Sequence, residues 1–188
     1  MMKRIIRLTE SDLVRLVKRV ITESESYDDM TIPEIADTQI GVPYRSGGTR
    51  PKDSSNPGFD CSGFAKWILK AAGYFNDENG NLDKTKYNSF PGWVQGQYDS
   101  SLIEKIDEPN IQIGDFVYFT HKGDKVKGHV GVITQVYDTD FSMVHASSKR
   151  GITQDDDVMK KGWWGKITGY GRFIGERNFP PSAIANKD

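Results

Sequence analysis

Helical and strand patterns are segregated along the chain, and this segregation restricts the possible fold more than any single residue does. Helical spacing of apolar residues is found in the first part, whereas short runs of β-branched and aromatic residues begin after Gly114. These runs are Phe116–Phe119, Val130–Ile133 and Phe141–Val144, with a last strand near 167–174. Turn-rich segments separate them, which predicts an antiparallel meander. Because helices and strands do not alternate, we predict an α+β domain with its N-terminal helices packed on this sheet.

Composition excludes several classes of protein. The 188 residues suffice for one domain with extensions. Lysine and arginine number 25 against 26 acidic residues, so the charge gives no argument for a nucleic acid partner. No apolar run approaches the ~18 residues that span a bilayer, so no transmembrane segment is expected. The single cysteine, Cys61, can form neither an intrachain disulfide nor a multi-cysteine zinc site, and we expect no cofactor and no metal.

The chain divides into three predicted parts. Residues 1–26 are rich in Lys, Arg, Val, Leu and Ile, which predicts a basic amphipathic helix that begins at a capping box of Thr9 and Asp12. This helix could pack on its own domain, dock onto a protein partner or assembly, or bind a membrane surface. Residues 31–175 are expected to form the main domain, and residues 176–188 a flexible tail.

Two helices are predicted before the strands. Thr31 and Glu34 form a second capping-box pattern, which predicts a short helix ending near Ile40. A further helical period ends before Gly73, where a left-handed cap is expected. Cys61 falls in the first turn of that helix, where the helix dipole and a nearby imidazolium would lower the pKa of its thiol. The opposing interpretation is a buried structural cysteine.

Residues 74–112 form a long segment between the second helix and the first strand. The segment is rich in Asn, Asp, Gly and Ser, with scattered aromatic residues. A loop of that length without secondary structure is uncommon in a compact domain. We therefore expect a helical turn or a lid-like excursion there.

The chain contains three histidines, His121, His129 and His145. An antiparallel hairpin between two neighbouring predicted strands would bring His129 and His145 close enough to pair. Alternation places His129 on the same face as the small Gly131, and a helix packed on that face would deliver Cys61 to His129. Nucleophile, base and orienting group in this order are the general arrangement of activated-thiol catalysis. The alternatives are ordinary hydrogen-bonded histidines or a zinc site of Cys61, His129 and His145, and His121 is expected in an exposed loop.

Five short strings follow one another along the chain: Gly41 to Gly48 (GVPYRSGG), Asp60 to Phe64 (DCSGF), Gly114 to Val117 (GDFV), Gly128 to Val132 (GHVGV) and Val144 to Ser147 (VHAS). In this order they resemble the signatures of the NlpC-type cysteine peptidases, papain-like enzymes of bacterial cell-wall peptides. The resemblance covers about residues 32–173 and implies a papain-like α+β catalytic domain. It also implies peptidoglycan stem peptides as the substrate.

Carried over by position, the resemblance implies a catalytic triad. Cys61 would be the nucleophile, His129 the general base and later the acid, and His145 the residue that orients His129. The reaction usual in the family implies hydrolysis of the amide between γ-D-glutamate and a diamino acid, through an acyl-enzyme.

The same resemblance implies three substrate-binding residues. Tyr44 resembles the family tyrosine beside the reacting carbonyl. Asp60 and Ser62 resemble the pair that holds a free amine on short stem peptides.

Several functions and routes stay open at this point. The alternatives to a peptidoglycan hydrolase are an amidase or acyltransferase of the same type, or a structural protein of a phage particle or secretion complex with an idle site. Because the sequence shows no secretory signal, we expect synthesis in the cytoplasm and action on the cell wall after release or delivery, as by a bacteriophage endolysin or an effector. Trp163 and Trp164 are expected in the core, with stacking on sugar or peptide as the alternative.

Overall fold

The computed structural model describes residues 27–120, 127–161 and 165–179. Three sequence-based predictions lie outside these residues: the N-terminal helix of residues 1–26, the exposed position of His121, and the placement of Trp163 and Trp164. Within the described ranges, no helix is both long enough and apolar enough to span a membrane.

The described residues form five α-helices and two short 3-10 helices. The α-helices are α1 (Ile32–Thr38), α2 (Cys61–Ala71), α3 (Lys84–Ser89), α4 (Val94–Asp99) and α5 (Val158–Lys161), and the 3-10 helices are Tyr27–Asp29 and Glu108–Asn110. The predicted capping box starts α1, because the Thr31 hydroxyl accepts from the amide of Glu34 and the Glu34 carboxylate accepts from the amide of Thr31. Gly73 follows α2 with a φ of +77°, which confirms the predicted left-handed cap.

The strands form one two-stranded pair and one six-stranded sheet. The pair is β1 (Thr49–Arg50) with β2 (Gly58–Phe59), and the sheet contains β3 (Ile103–Ile106), β4 (Phe116–Thr120), β5 (His129–Val136), β6 (Phe141–Ser147), β7 (Gly151–Asp155) and β8 (Lys166–Phe173). The order across the sheet is β3-β8-β4-β5-β6-β7, and all neighbours are antiparallel. The α+β fold and the meander are therefore as predicted. The sequence analysis misses β3 and β7, the two edge strands, because polar residues interrupt their apolar pattern.

The two faces of the sheet bury different sets of residues. One cluster joins α1 and α2 to Val130, Val132 and Val144. The other cluster contains Ile133 and Met143, which alternate with them along β5 and β6. α2 therefore packs on one face only, and this decides from which side Cys61 approaches the strands.

The aspartate of the Gly114–Val117 string joins the start of β4 to the neighbouring strand β8. Asp115 is 2% exposed. Its carboxylate accepts two hydrogen bonds of 2.8 Å from the guanidinium of Arg172 on β8 and one of 2.7 Å from the amide of Gln112. Planar, two-oxygen recognition of this kind is specific to arginine. The aspartate of this string thus has a structural role, away from the catalytic candidates.

The segment of residues 74–112 contains regular structure, as its length predicted. It carries α3, α4, β3 and the second 3-10 helix.

Ordered contacts continue into the predicted tail. The Arg177 guanidinium donates to the carbonyl oxygens of Ala72 and Met30, both at 2.8 Å, and the amide of Asn178 donates to that of Gly73 at 3.1 Å. Arg177 thus supplies a donor to Ala72, whose carbonyl the end of α2 leaves without a helical partner, and the domain boundary at residue 176 stays a prediction. Residues 180–188 lie outside the described part of the chain.

Candidate active site

The turn that presents Cys61 is held on both sides by the carboxylate of Asp60. One oxygen, Oδ1, caps α2 by accepting from the amide of Gly63 at 2.6 Å, and Oδ2 accepts from the amide of Gly47 at 2.8 Å. Gly63 permits this arrangement, because a Cβ there would lie 2.1 Å from the carbonyl oxygen of Gly48. Cys61 is the first residue of α2, as predicted.

The sulfur of Cys61 lies beside the beginning of β5. Its Sγ is 3.9 Å from the carbonyl oxygen of Gly128, and the backbone of Val130 also hydrogen-bonds to it. These two residues flank His129 in the sequence. Cys61 as a residue is partly exposed.

The thiol of Cys61 is neutral at rest. Burial, and after it the negative charge of Asp60, raises its pKa to about 11, although backbone hydrogen bonds from Val130 and Ser62 act in the opposite direction. The expectation of a lowered pKa is therefore wrong, because desolvation and a neighbouring carboxylate outweigh the effect of the helix start. A base must remove the thiol proton during attack.

His129 and His145 form the predicted pair. Nε2 of His129 lies 2.9 Å from Nδ1 of His145, and the rings are nearly perpendicular, with centroids 4.9 Å apart. Both side chains are buried. Gly131 stands opposite His145 in the register, and a Cβ on it would lie 2.7 Å from Sδ of Met143 and 3.3 Å from Cβ of His145. A side chain at position 131 would therefore crowd Met143 and the Cβ of His145.

A buried carboxylate lies on the other side of His145. Oδ2 of Asp155, on β7, is 2.8 Å from Nε2 of His145, and the Arg150 guanidinium donates to both oxygens of Asp155 at 2.8 and 2.9 Å. Burial lowers the pKa of His145, against the effect of Asp155, which raises it. The sequence analysis misses Asp155 because it misses β7. The alternation of β7 is the signal that identifies it, since its pairing with Met143 places Asp155 on the histidine face.

Cys61 does not reach the histidines from the side that the sequence predicted. α2 packs against Val130 and Val144, whereas His129 and His145 alternate with these residues and belong to the opposite face. The prediction that α2 packs on the histidine face is therefore wrong. Cys61 approaches β5 at its end, where the first residue of the strand is His129.

The three predicted substrate-binding residues surround the same turn. Burial raises the pKa of Tyr44, with smaller contributions from Cys61 and Asp60, so its phenol lies near both groups. Ser62 is 6% exposed, and its hydroxyl lies 2.9 Å from the carbonyl oxygen of Gly92 and 3.1 Å from Oδ1 of Asp60. Asp60 and Ser62 thus have structural contacts, and substrate binding by Tyr44, Asp60 and Ser62 stays a prediction.

A side chain of helix α4 contacts the turn that contains Cys61 and Ser62. Gln97 is buried, and its Nε2 donates to the carbonyl oxygens of Ser62 at 2.9 Å and Pro91 at 3.1 Å. The side-chain oxygen of Gln95 accepts from the amide of Lys127 at 2.8 Å. Lys127 directly precedes Gly128, whose carbonyl oxygen contacts Sγ of Cys61. No signal in the sequence indicates this buried glutamine, because its partners come from distant parts of the chain.

The zinc alternative does not suit the geometry. The nitrogens of His129 and His145 that face each other are hydrogen-bonded together, and the second nitrogen of His145 faces Asp155. Among the residues that the structure describes, no group of three or more His, Cys, Asp or Glu side chains is arranged to hold a metal ion.

A cysteine at the start of a helix, next to a histidine on an antiparallel sheet, defines a papain-like α+β domain. Residues 41–172 match the sequence model of the NlpC/P60 family. The chain belongs to this family, as the five strings predicted.

Relatives with established names are similar over parts of the chain. Gamma-DL-glutamyl hydrolase of Bacillus subtilis (strain 168) is 28% identical over 156 residues, covering 82% of this chain and 32% of that protein. Murein DD-endopeptidase MepH of Escherichia coli (strain K12) is 32% identical over 94 residues, covering 50% and 28%. The solved structure of an NLP/P60-family lipoprotein from Staphylococcus aureus has 26% identity and a TM-score of 0.52, covering 87% and 48%. The chain spans about a third of the length of the first two relatives.

Proposed function

We propose that this protein is a cysteine endopeptidase of peptidoglycan that cleaves the amide between γ-D-glutamate and a diamino acid in stem peptides. The observation that carries the proposal is the adjacency of Cys61, at a helix start, to the strand that bears the bonded pair of His129 and His145. Membership of the NlpC/P60 family supports it, as do the names of the two relatives, a glutamyl hydrolase and a murein endopeptidase.

In the acylation step, His129 acts as the general base. Because Nε2 of His129 faces His145, we assign Nδ1 as the atom that takes the proton of the Cys61 thiol. The sulfur then forms a bond to the substrate carbonyl carbon, and backbone amides at the start of α2 stabilise the oxyanion. The carbon–nitrogen bond breaks as His129 returns the proton to the leaving amine, and the acyl group stays on the sulfur.

In the deacylation step, water takes the place of the amine. His129 accepts a proton from the water as its oxygen bonds to the acyl carbon. The carbon–sulfur bond breaks, and the proton returns to the thiolate. His129 must be uncharged at the start of both steps, because in each it accepts a proton.

The substrate side of the proposal uses the predicted residues around Cys61. Tyr44 would contact the peptide beside the reacting carbonyl, and Asp60 would attract the free amine of a short stem peptide. Ser62 would contribute through the position of this turn. The site of action is the cell wall, reached after release or delivery.

The test compares the wild-type protein with Cys61→Ala on muropeptides from walls of several chemistries, with products identified by mass. Wild type should release a peptide cut after γ-D-glutamate, and Cys61→Ala should lower the rate by at least ~10³-fold. The exposed Gln154→Ala serves as the control and should keep full activity. Absence of a thiol-dependent product from every wall type would contradict the proposal.

The same assay separates hydrolysis from acyl transfer. With an added amine, a hydrolase should still give mainly the free acid, because water enters the site. A predominant amide product would favour the acyltransferase alternative.

A further inference from the structure

We propose that Asp155 is a positioning residue that fixes the tautomers of His145 and, through it, of His129. The proposal rests on the function proposed above and adds a fourth member to its triad. Asp155 is 5% exposed and lies on β7, an element that the catalytic candidates do not share.

The two hydrogen bonds of His145 form a chain in which His129 donates to His145 and His145 donates to Asp155. A carboxylate only accepts, so the 2.8 Å contact with Oδ2 of Asp155 requires the proton of His145 on Nε2. A neutral His145 then has a lone pair on Nδ1, and it accepts from Nε2 of His129 at 2.9 Å. The remaining nitrogen of a neutral His129, Nδ1, is consequently the basic one. This is the tautomer that can remove the proton of Cys61.

The position of Asp155 is itself fixed by its neighbours. Arg150 donates to both carboxylate oxygens, and the pairing of β7 with β6 places Asp155 opposite Met143. Within the described part of the chain, the charged and titratable groups next to His145 include His129 and Asp155, with Arg150 on the far side of Asp155. Asp155 stabilises a protonated histidine pair, whereas Arg150 destabilises it.

The decisive variant is Asp155→Asn, because it keeps the shape and removes the obligatory acceptor. An amide can donate to His145 as well as accept from it, so the tautomers are no longer specified. We expect kcat to fall about 10–100-fold, as for other partners that orient a functional histidine, with KM changed less than about threefold. The acidic limb of the pH profile should move to lower pH, since the charge that stabilises the protonated pair is gone.

Arg150→Met is the matched control, because it breaks the same ion pair from the other side. If Asp155 acted only as a structural tether, both variants would lose activity equally. If it positions the histidines, Arg150→Met keeps the acceptor for His145 and should retain kcat within about threefold of wild type. An equal loss in both variants would overturn the proposal.

Nitrogen NMR of the imidazole rings tests the tautomers without any substrate. In the wild-type protein with neutral histidines, His145 should carry its proton on Nε2 and His129 on Nε2 as well, and Asp155→Asn should mix the tautomers. A wild-type spectrum with the proton of His145 on Nδ1 would overturn the proposal, even if Asp155→Asn fails to fold. Because this measurement needs no turnover, it stands apart from a failure of the proposed peptidase activity.

Discussion

Cys61 combines two opposing influences within one turn of helix. Its place at the first residue of α2 favours a thiolate, yet burial and the carboxylate of Asp60 hold it as a neutral thiol. The same Asp60 carboxylate caps the helix. One group therefore both fixes the turn that contains Cys61 and raises the pKa of its thiol. Under the proposed mechanism, the thiolate forms when His129 takes the proton.

Replacing Asp60 by Asn should make Cys61 more reactive toward iodoacetamide. Asparagine keeps the cap to Gly63, loses the hydrogen bond from the Gly47 amide and removes the negative charge, and the loss of charge should lower the thiol pKa by about one unit. Near neutral pH the thiolate fraction would rise about tenfold, and its reduced nucleophilicity would leave a net gain of roughly threefold in alkylation rate. Asp53→Asn, an exposed aspartate of the preceding loop, is the control.

The pH dependence of the same reaction tests the neutral thiol directly. In the wild-type protein the alkylation rate should rise about tenfold per pH unit between pH 7 and 9.5, because the pKa of about 11 lies above this window. A rate that is already high and flat near pH 7 would instead show a preformed ion pair with a histidine.

The pairing of His129 with His145 was predictable from the sequence, whereas the contact of Asp155 with His145 was not. His129 and His145 lie on consecutive strands joined by a short turn, so alternation and hairpin geometry suffice to bring them together. Asp155 requires the register of an edge strand that has no continuous apolar run. The face on which α2 packs also escaped prediction, because the strands are apolar on both faces and alternation alone does not select one.

Helix α4 shows how an element outside the sequence signatures can support the site. It is six residues long, yet its buried Gln97 binds the carbonyl of Ser62, which directly follows the nucleophile. The length of the segment 74–112 predicted that it contains regular structure, but not that Gln97 would be its inward-facing, buried side chain. The contact joins residues that are 35 positions apart, and only the folded chain specifies it.

Gln97→Leu should destabilise the protein and weaken catalysis. Leucine fills a similar volume but leaves the carbonyls of Ser62 and Pro91 without their donor, which should cost about 2 kcal/mol. For a chain of this size the Tm should fall by roughly 4–8 °C, measured by thermal unfolding. At a temperature where the variant is folded, kcat should decrease more than KM changes, because the nucleophile turn is less firmly held.

Gln154→Leu provides the comparison for that measurement, since Gln154 is exposed on the edge strand β7. It should leave Tm within about 2 °C of wild type. Equal stability of Gln97→Leu and wild type would contradict the role assigned to this glutamine.

At the scale of the whole molecule, the two ends of the described chain meet at the C-terminal end of α2. Arg177 donates to the carbonyls of Met30, before α1, and Ala72, after α2. These bonds join residues 147 and 105 positions apart. The segment after β8 thereby joins the residues before α1 to the C-terminal end of α2, the end opposite Cys61.

Arg177→Ala should therefore destabilise the entire domain without altering the chemistry of the site. Loss of charge-assisted bonds to several carbonyls should lower the free energy of unfolding by about 2 kcal/mol and Tm by roughly 4–8 °C. Arg177→Lys should recover less than half of this, because one ammonium cannot match the spread of donors on a planar guanidinium. Arg50→Ala, at an exposed position on β1, is the control and should leave Tm nearly unchanged. If Arg177→Ala unfolds at the wild-type temperature, the segment after β8 is not held by this residue.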